Sequence, residues 1–188
     1  MVGGETLSVY PLDGNWTRFR REYWWRALAA IELPPRPTAL LVGLGGGTQV
    51  HLLHRRAAPR LITVIERDPA IVWVADEWFG LDAVGPLEIL CAAAAVAAPA
   101  LARARRRFDF IMDDAGYAHE PDPAAALASS LAPLVAPRGT LVVNRHLRGD
   151  APRVAAALRR AFESVRLCHV RPGGENVLIC CRGLLRRA

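Results

Sequence analysis

Two clusters of residues in this chain have the types and spacing to do chemistry. The first is Gly43-Leu-Gly45-Gly46-Gly47, followed 19 residues later by Glu66 in Glu66-Arg67-Asp68-Pro69. Glycines that follow a buried strand and precede a helix let the chain turn tightly. They also let a ligand approach the amides at the helix N-terminus. A carboxylate leaving the next strand about 20 residues on is placed to accept the hydroxyls of a ribose. Together these features predict a nucleoside site made from Gly43, Gly45, Gly46, Gly47, Glu66 and Arg67, with Asp113 at the end of a later strand. The spacing is not G-x-G-x-x-G, because Gln49 and Val50 follow, so a dinucleotide is not the expected ligand. A purely structural role is open to the same residues: a tight turn, then a helix opened by Asp68 and Pro69. The second cluster is Asp113-Asp114, at the end of an apolar run, where in a purely structural role the carboxylates would cap the turn at Gly116.

These residues need strands and helices to position them. Trp16–Glu32 reads as one helix, with Phe19, Tyr23, Arg26, Ala27 and Ala30 at three- and four-residue steps, stopped by Pro34-Pro35. Short apolar runs then alternate with helical segments. Strands are expected at 39–42, 61–65, 87–90, 108–112 and 139–144. Helices are expected after the glycines to about His54, over 69–78, in the alanine-rich stretch after Leu90, and over 122–134 and 151–162. The alternation predicts a parallel sheet covered on both faces. Ser164–Val170 and Asn176–Cys181, joined through Pro172-Gly-Gly174, must be antiparallel to each other, because a parallel return needs a crossover.

Composition narrows the class. The 188 residues are 52% hydrophobic, enough for one core, and all 24 basic residues are Arg, giving a formal charge of +6. The clusters Arg18–Arg21, Arg103–Arg107 and Arg186–Arg187 read as solvated helix ends and termini, so nucleic acid is not the expected partner. Cys91, Cys168, Cys180 and Cys181 have no metal spacing. Adjacent Cys180 and Cys181 would point to opposite faces of a strand, so buried reduced thiols and a cytoplasmic setting are expected, with no metal. Neither a secretion signal nor a membrane span is apparent. His51 and His54 stand one turn apart and read as an exposed helix face. His119, Glu120 and Asp122 lie where an acceptor pocket or an ordinary polar loop would be.

Several of these motifs resemble one family. Leu41-Val-Gly-Leu-Gly-Gly-Gly-Thr48, Val64-Ile-Glu-Arg-Asp-Pro69 and Phe108-Asp-Phe-Ile-Met-Asp-Asp114 are similar to the motifs of spermidine synthases, polyamine aminopropyltransferases on the class I methyltransferase fold. Leu12-Asp13-Gly14 with Arg21-Glu-Tyr-Trp24, Pro133–Asn144 and Pro172–Asn176 extend the likeness over nearly the whole chain. The resemblance implies a Rossmann-like, mostly parallel seven-stranded sheet with an antiparallel last strand and helices on both faces. Residues 1–37 would be a remnant of the family's β-domain and 38–188 the nucleoside-binding domain.

It also implies S-adenosylmethionine or decarboxylated S-adenosylmethionine as cofactor. Gly43, Gly45 and Gly47 would cradle its tail, Glu66 would hold its ribose, and Asp114 would be the catalytic acid beside a small-molecule amine acceptor. A homodimer is implied as well. The chain departs from the family at Tyr117, where a second acid belongs, and at Ala92-Ala93, where an acid would meet adenine. Those departures set a second expectation beside the transferase: a non-catalytic nucleoside-binding or assembly protein on the same fold.

Overall fold

The computed structural model describes residues 8–115, 121–146, 149–171 and 176–185. The elements run α1 (Tyr23–Ala29), β1 (Thr38–Val42), α2 (Thr48–Ala57), β2 (Leu61–Glu66), α3 (Pro69–Phe79), β3 (Leu87–Cys91), α4 (Ala94–Arg103), β4 (Phe108–Asp113), α5 (Pro121–Leu131), β5 (Val135–His146), α6 (Ala151–Leu158), β6 (Phe162–His169) and β7 (Asn176–Leu184). The strands form one sheet in the order β3-β2-β1-β4-β5-β7-β6. All pairings are parallel except those of β7, which is antiparallel to both β5 and β6. The antiparallel strand is therefore inserted between β5 and β6, with β6 at the edge.

Alternation along the strands sorts the apolar side chains into two layers. Leu40, Val42, Ile111, Leu141, Val143 and Cys181 face α4, α5 and α6. Ala39, Leu41, Val64, Phe110, Met112 and Cys180 face α1, α2 and the covering N-terminal segment. Cys180 and Cys181 thus lie on opposite faces, as strand geometry requires. Cys91, by contrast, is exposed and Cys168 half-buried, so only two of the four thiols are fully enclosed.

Three elements differ from the sequence reading. The helix over 16–32 is broken into a 3-10 turn, Trp16–Phe19, and α1, because Asn15 caps the first piece and the chain re-enters extended geometry at Glu22. β5 starts at Val135, ahead of the expected 139. Its pairing with β4 shifts register between Phe108 and Phe110, and Pro137, which has no N–H to donate, falls in the stretch between Val135 and Thr140 that has no partner on β4. α6 stops at Leu158, and β6 begins at Phe162.

The order of strands fixes where a ligand can bind. β2 leaves β1 on one side and β4 leaves it on the other, so a crevice opens at the carboxyl ends of β1, β2 and β4.

Candidate functional site

At the end of β1 the chain turns through Gly43, whose φ is +90°. Its N–H donates to the Ile65 carbonyl of β2 (2.9 Å), and the Asp114 N–H donates to the Val42 carbonyl (2.9 Å), so three strand ends meet here. A β-carbon on Gly43 would lie 2.8 Å from the Asp114 carbonyl oxygen, which leaves room for glycine alone. Gly45 is half-buried with φ +53°. Gly46 and Gly47 face the protein. A β-carbon on Gly46 would lie 2.6 Å from the Phe79 ring, and one on Gly47 would lie 2.9 Å from Leu81. Gly47 is also the left-handed N-cap of α2. Packing against the α3–β3 connection therefore accounts for two of the five turn positions.

Glu66 ends β2 half-buried and turned toward the glycines. Its Oε2 accepts the Leu44 N–H (3.0 Å) and its Oε1 accepts the Asp68 N–H (3.0 Å). Each oxygen keeps acceptor capacity for a further donor. Arg67 is exposed. Asp68 caps α3 through the Ala70 N–H, as its place before Pro69 leads one to expect. Ala92 and Ala93, at the end of β3, lie half-buried and exposed beside this crevice.

Asp114 takes two side-chain donors, one on each carboxylate oxygen. The Tyr23 hydroxyl donates to its Oδ2 (2.7 Å), and the Asn144 amide donates to its Oδ1 (2.9 Å). Desolvation pushes its titration up to about 6, against the pull of those two donors, with the neighbouring Asp113 charge adding to the rise. The same burial and the Asp114 charge drive the Tyr23 phenol upward, so it stays protonated and can only donate to a carboxylate. Asp113 is wholly buried and points elsewhere. Its carboxylate accepts the Ala115 N–H (3.2 Å) and pairs with buried Arg145 (3.2 Å), which also meets Asp150 (3.5 Å). Burial raises the Asp113 carboxyl and the Arg145 guanidinium opposes the rise.

Sequence reasoning missed Tyr23 and Asn144. Tyr23 lies 91 residues from its partner and carries no local signal. Asn144 was findable, as the polar residue that closes the apolar run expected as a strand over 139–144. His51 corrects an expectation: it is buried, packed on Tyr10 and Trp16, and donates from Nε2 to the Phe79 carbonyl (2.8 Å). Burial lowers its affinity for a second proton, so it is a neutral structural histidine. The covering segment also reaches the glycine turn, where Gly46 N–H donates to the Ser8 hydroxyl and Thr48 Oγ1 bonds both the N–H and carbonyl of Val9 (2.8 Å each). Tyr117, His119 and Glu120 lie outside the described residues, as does the side chain of Asp122. Among the described residues, no group of three or more His, Cys, Asp or Glu could hold a metal, and no helix is long and apolar enough to cross a membrane.

No protein-family model matches the chain. It is 30% identical over 168 residues to an eEF1A lysine and N-terminal methyltransferase of Danio rerio, an alignment covering 81% of this chain and 24% of that protein. The chain thus spans about a quarter of the length of the curated relative it matches. Human methyltransferase-like protein 13, solved in complex with SAH, superposes with a TM-score of 0.71 at 23% identity, over 87% of this chain and 82% of that one. Spermidine synthase from Thermotoga maritima gives 0.64 at 14% identity, over 85% and 60%. The fold is that of class I S-adenosylmethionine-dependent methyltransferases, and spermidine synthase is one distant neighbour within it.

Proposed function

We infer that the chain binds S-adenosylmethionine in the crevice between Gly43 and Glu66 and transfers its methyl group to an amine. One observation carries this reading: Glu66 is turned onto the amide of the glycine turn, with acceptor capacity left on both carboxylate oxygens. Two ribose hydroxyls need that donor–acceptor match, and the backbone of Gly43 and Gly45 presents no side chain beside it. Arg67 is exposed at the crevice rim, while Gly46, Gly47 and Asp113 would act by shaping the turn and strand end from behind.

When bound, the cofactor supplies a methyl group on a positively charged sulfur. The chain's own residues handle the acceptor. An amine must be neutral to attack, and Asp114, ionised above about pH 6, accepts the departing proton or fixes the amine in line. Tyr23 and Asn144 position that carboxylate. The leading segment, residues 1–37, thereby contributes to the site through Tyr23.

Methyl transfer is favoured over aminopropyl transfer by the Danio rerio relative, whose name gives lysine and N-terminal amines of a protein as its targets. A protein-borne amine is the acceptor we favour; the spermidine-synthase-like motifs support a small amine instead. Ala92-Ala93, and Ser8 engaged on Gly46, favour the second reading, a nucleoside-binding protein without catalysis. Calorimetry with S-adenosylmethionine, decarboxylated S-adenosylmethionine and methylthioadenosine, followed by transfer of labelled methyl to a lysine-bearing peptide, separates them. We expect S-adenosylmethionine to bind and label to reach the amine. Binding without transfer supports the second reading, and a folded protein that binds none of the three removes both.

A further inference from the structure

The end of the sheet opposite the crevice carries a row of arginines, three leading into neighbouring strands and one in the first half of the fourth. Arg60 immediately precedes β2, Arg36 stands two residues before β1, Arg107 immediately precedes β4, and Arg138 sits in the β4–β5 bulge. Hydrogen bonds and close packing join their neighbourhoods. Arg60 N–H donates to the Pro37 carbonyl (2.9 Å), Thr38 N–H donates to Asp109 (2.9 Å), and Gly139 packs on the Phe108 carbonyl. All four side chains are exposed. None makes an ion pair among the described residues. Asp109, the acid inside the row, has its Oδ2 committed to the N–H and hydroxyl of Thr38.

Arg55, Arg56 and Arg103 flank the row in the last turns of α2 and α4, where they complement the helix dipoles. That explanation does not reach Arg36, Arg60, Arg107 or Arg138, which lie in strand-leading loops or a bulge. Arg36 even adopts a left-handed φ of +49°, a conformation that favours glycine.

We propose that this row binds the phosphodiester backbone of a nucleic-acid duplex. Strands about 4.8 Å apart spread the four backbone positions over about 14 Å, the length along which one strand of a duplex presents about four phosphates. The other anionic partners fit less well. Protein hot spots and membrane surfaces use exposed apolar anchors, and single strands use aromatic platforms. The exposed large apolar side chains among the described residues, Trp73, Trp78 and Val96 included, are not in the row. The row also lies a strand length, about 17–20 Å, from Gly43 and Asp114, so the bound duplex tethers the protein and is not the methyl acceptor.

The test is binding of the full chain to fluorescent 20-base-pair RNA and DNA duplexes of one sequence, between 50 and 200 mM NaCl. Four neutralised phosphates give a log–log salt slope near −3.6, which is about 150-fold weaker binding across that range. The variant R36Q/R60Q/R107Q/R138Q should flatten the slope and lose at least tenfold in affinity at 100 mM. The equal-charge control R20Q/R21Q/R26Q/R166Q should not, with circular dichroism verifying that both fold. RNA binding above DNA, or the reverse, names the form of duplex recognised. Equal losses in the two variants, no saturable binding at 50 mM, or tighter binding to polyglutamate or phosphatidylserine vesicles would each overturn the proposal.

Discussion

Asp114 stabilises the protein least where it is most useful. An unfolded aspartate titrates near 3.8 and this one near 6. At 1.36 kcal/mol per tenfold change in proton affinity, ionising it inside the fold costs about 3 kcal/mol more than ionising it in the unfolded chain. The sign follows from a raised folded value: its contribution is fully present below about pH 4 and lost as pH rises through 6. Asp114→Asn removes that penalty but keeps a group that bonds Tyr23 and Asn144. Tyr23 can then accept from the new amide, and the pull of both donors on the charged carboxylate is already contained in its titration near 6. The variant should therefore gain about 3 kcal/mol over the parent between pH 4 and pH 8. Methyl transfer should fall by orders of magnitude. Urea unfolding of both proteins at pH 4, 6 and 8 measures this. A stability difference that does not change with pH refutes the claim that burial holds this carboxylate against its charge.

Tyr23→Phe removes one donor to the carboxylate, so Asp114 should titrate higher. The acidic limb of the activity–pH profile should move up by roughly one pH unit, for a bond worth about 1 kcal/mol; an unmoved limb would show that Tyr23 does not act through Asp114. Gly46→Ala places a methyl group 2.6 Å from the Phe79 ring and should destabilise the protein by about 1–3 kcal/mol in thermal unfolding. Phe79→Leu in the same chain should recover part of that loss, and no recovery would place the strain in the backbone instead.

The central strands β1, β2 and β4 were legible because each is a short, mostly apolar run, and a parallel sheet buried on both faces demands that pattern. The glycine turn, Glu66 and the Asp68-Pro69 helix start were legible for the same local reason, since each is a strand end joined to a helix start. What escaped was non-local. His51 reads as exposed beside His54, and it is the N-terminal segment, through Tyr10 and Trp16, that buries it. Phe19, Tyr23, Arg26 and Ala30 keep helical spacing across a break at 20–22, so periodicity joined two pieces that capping separates. Pro137 made the first half of β5 look like loop, although a bulge accommodates it. Three adjacent glycines looked like a surplus for ligand approach, yet Phe79 and Leu81 need two of them.

Cofactor binding as proposed depends on a carboxylate at the end of β2 gripping a sugar beside amides stripped of side chains. Calorimetric titration of S-adenosylhomocysteine into the parent and Glu66→Ala proteins reaches it directly. Two hydroxyls bonded to a charged acceptor predict roughly 100-fold weaker binding in the variant, with far-ultraviolet circular dichroism unchanged. Equal affinity in a folded variant would mean that the nucleoside is held elsewhere.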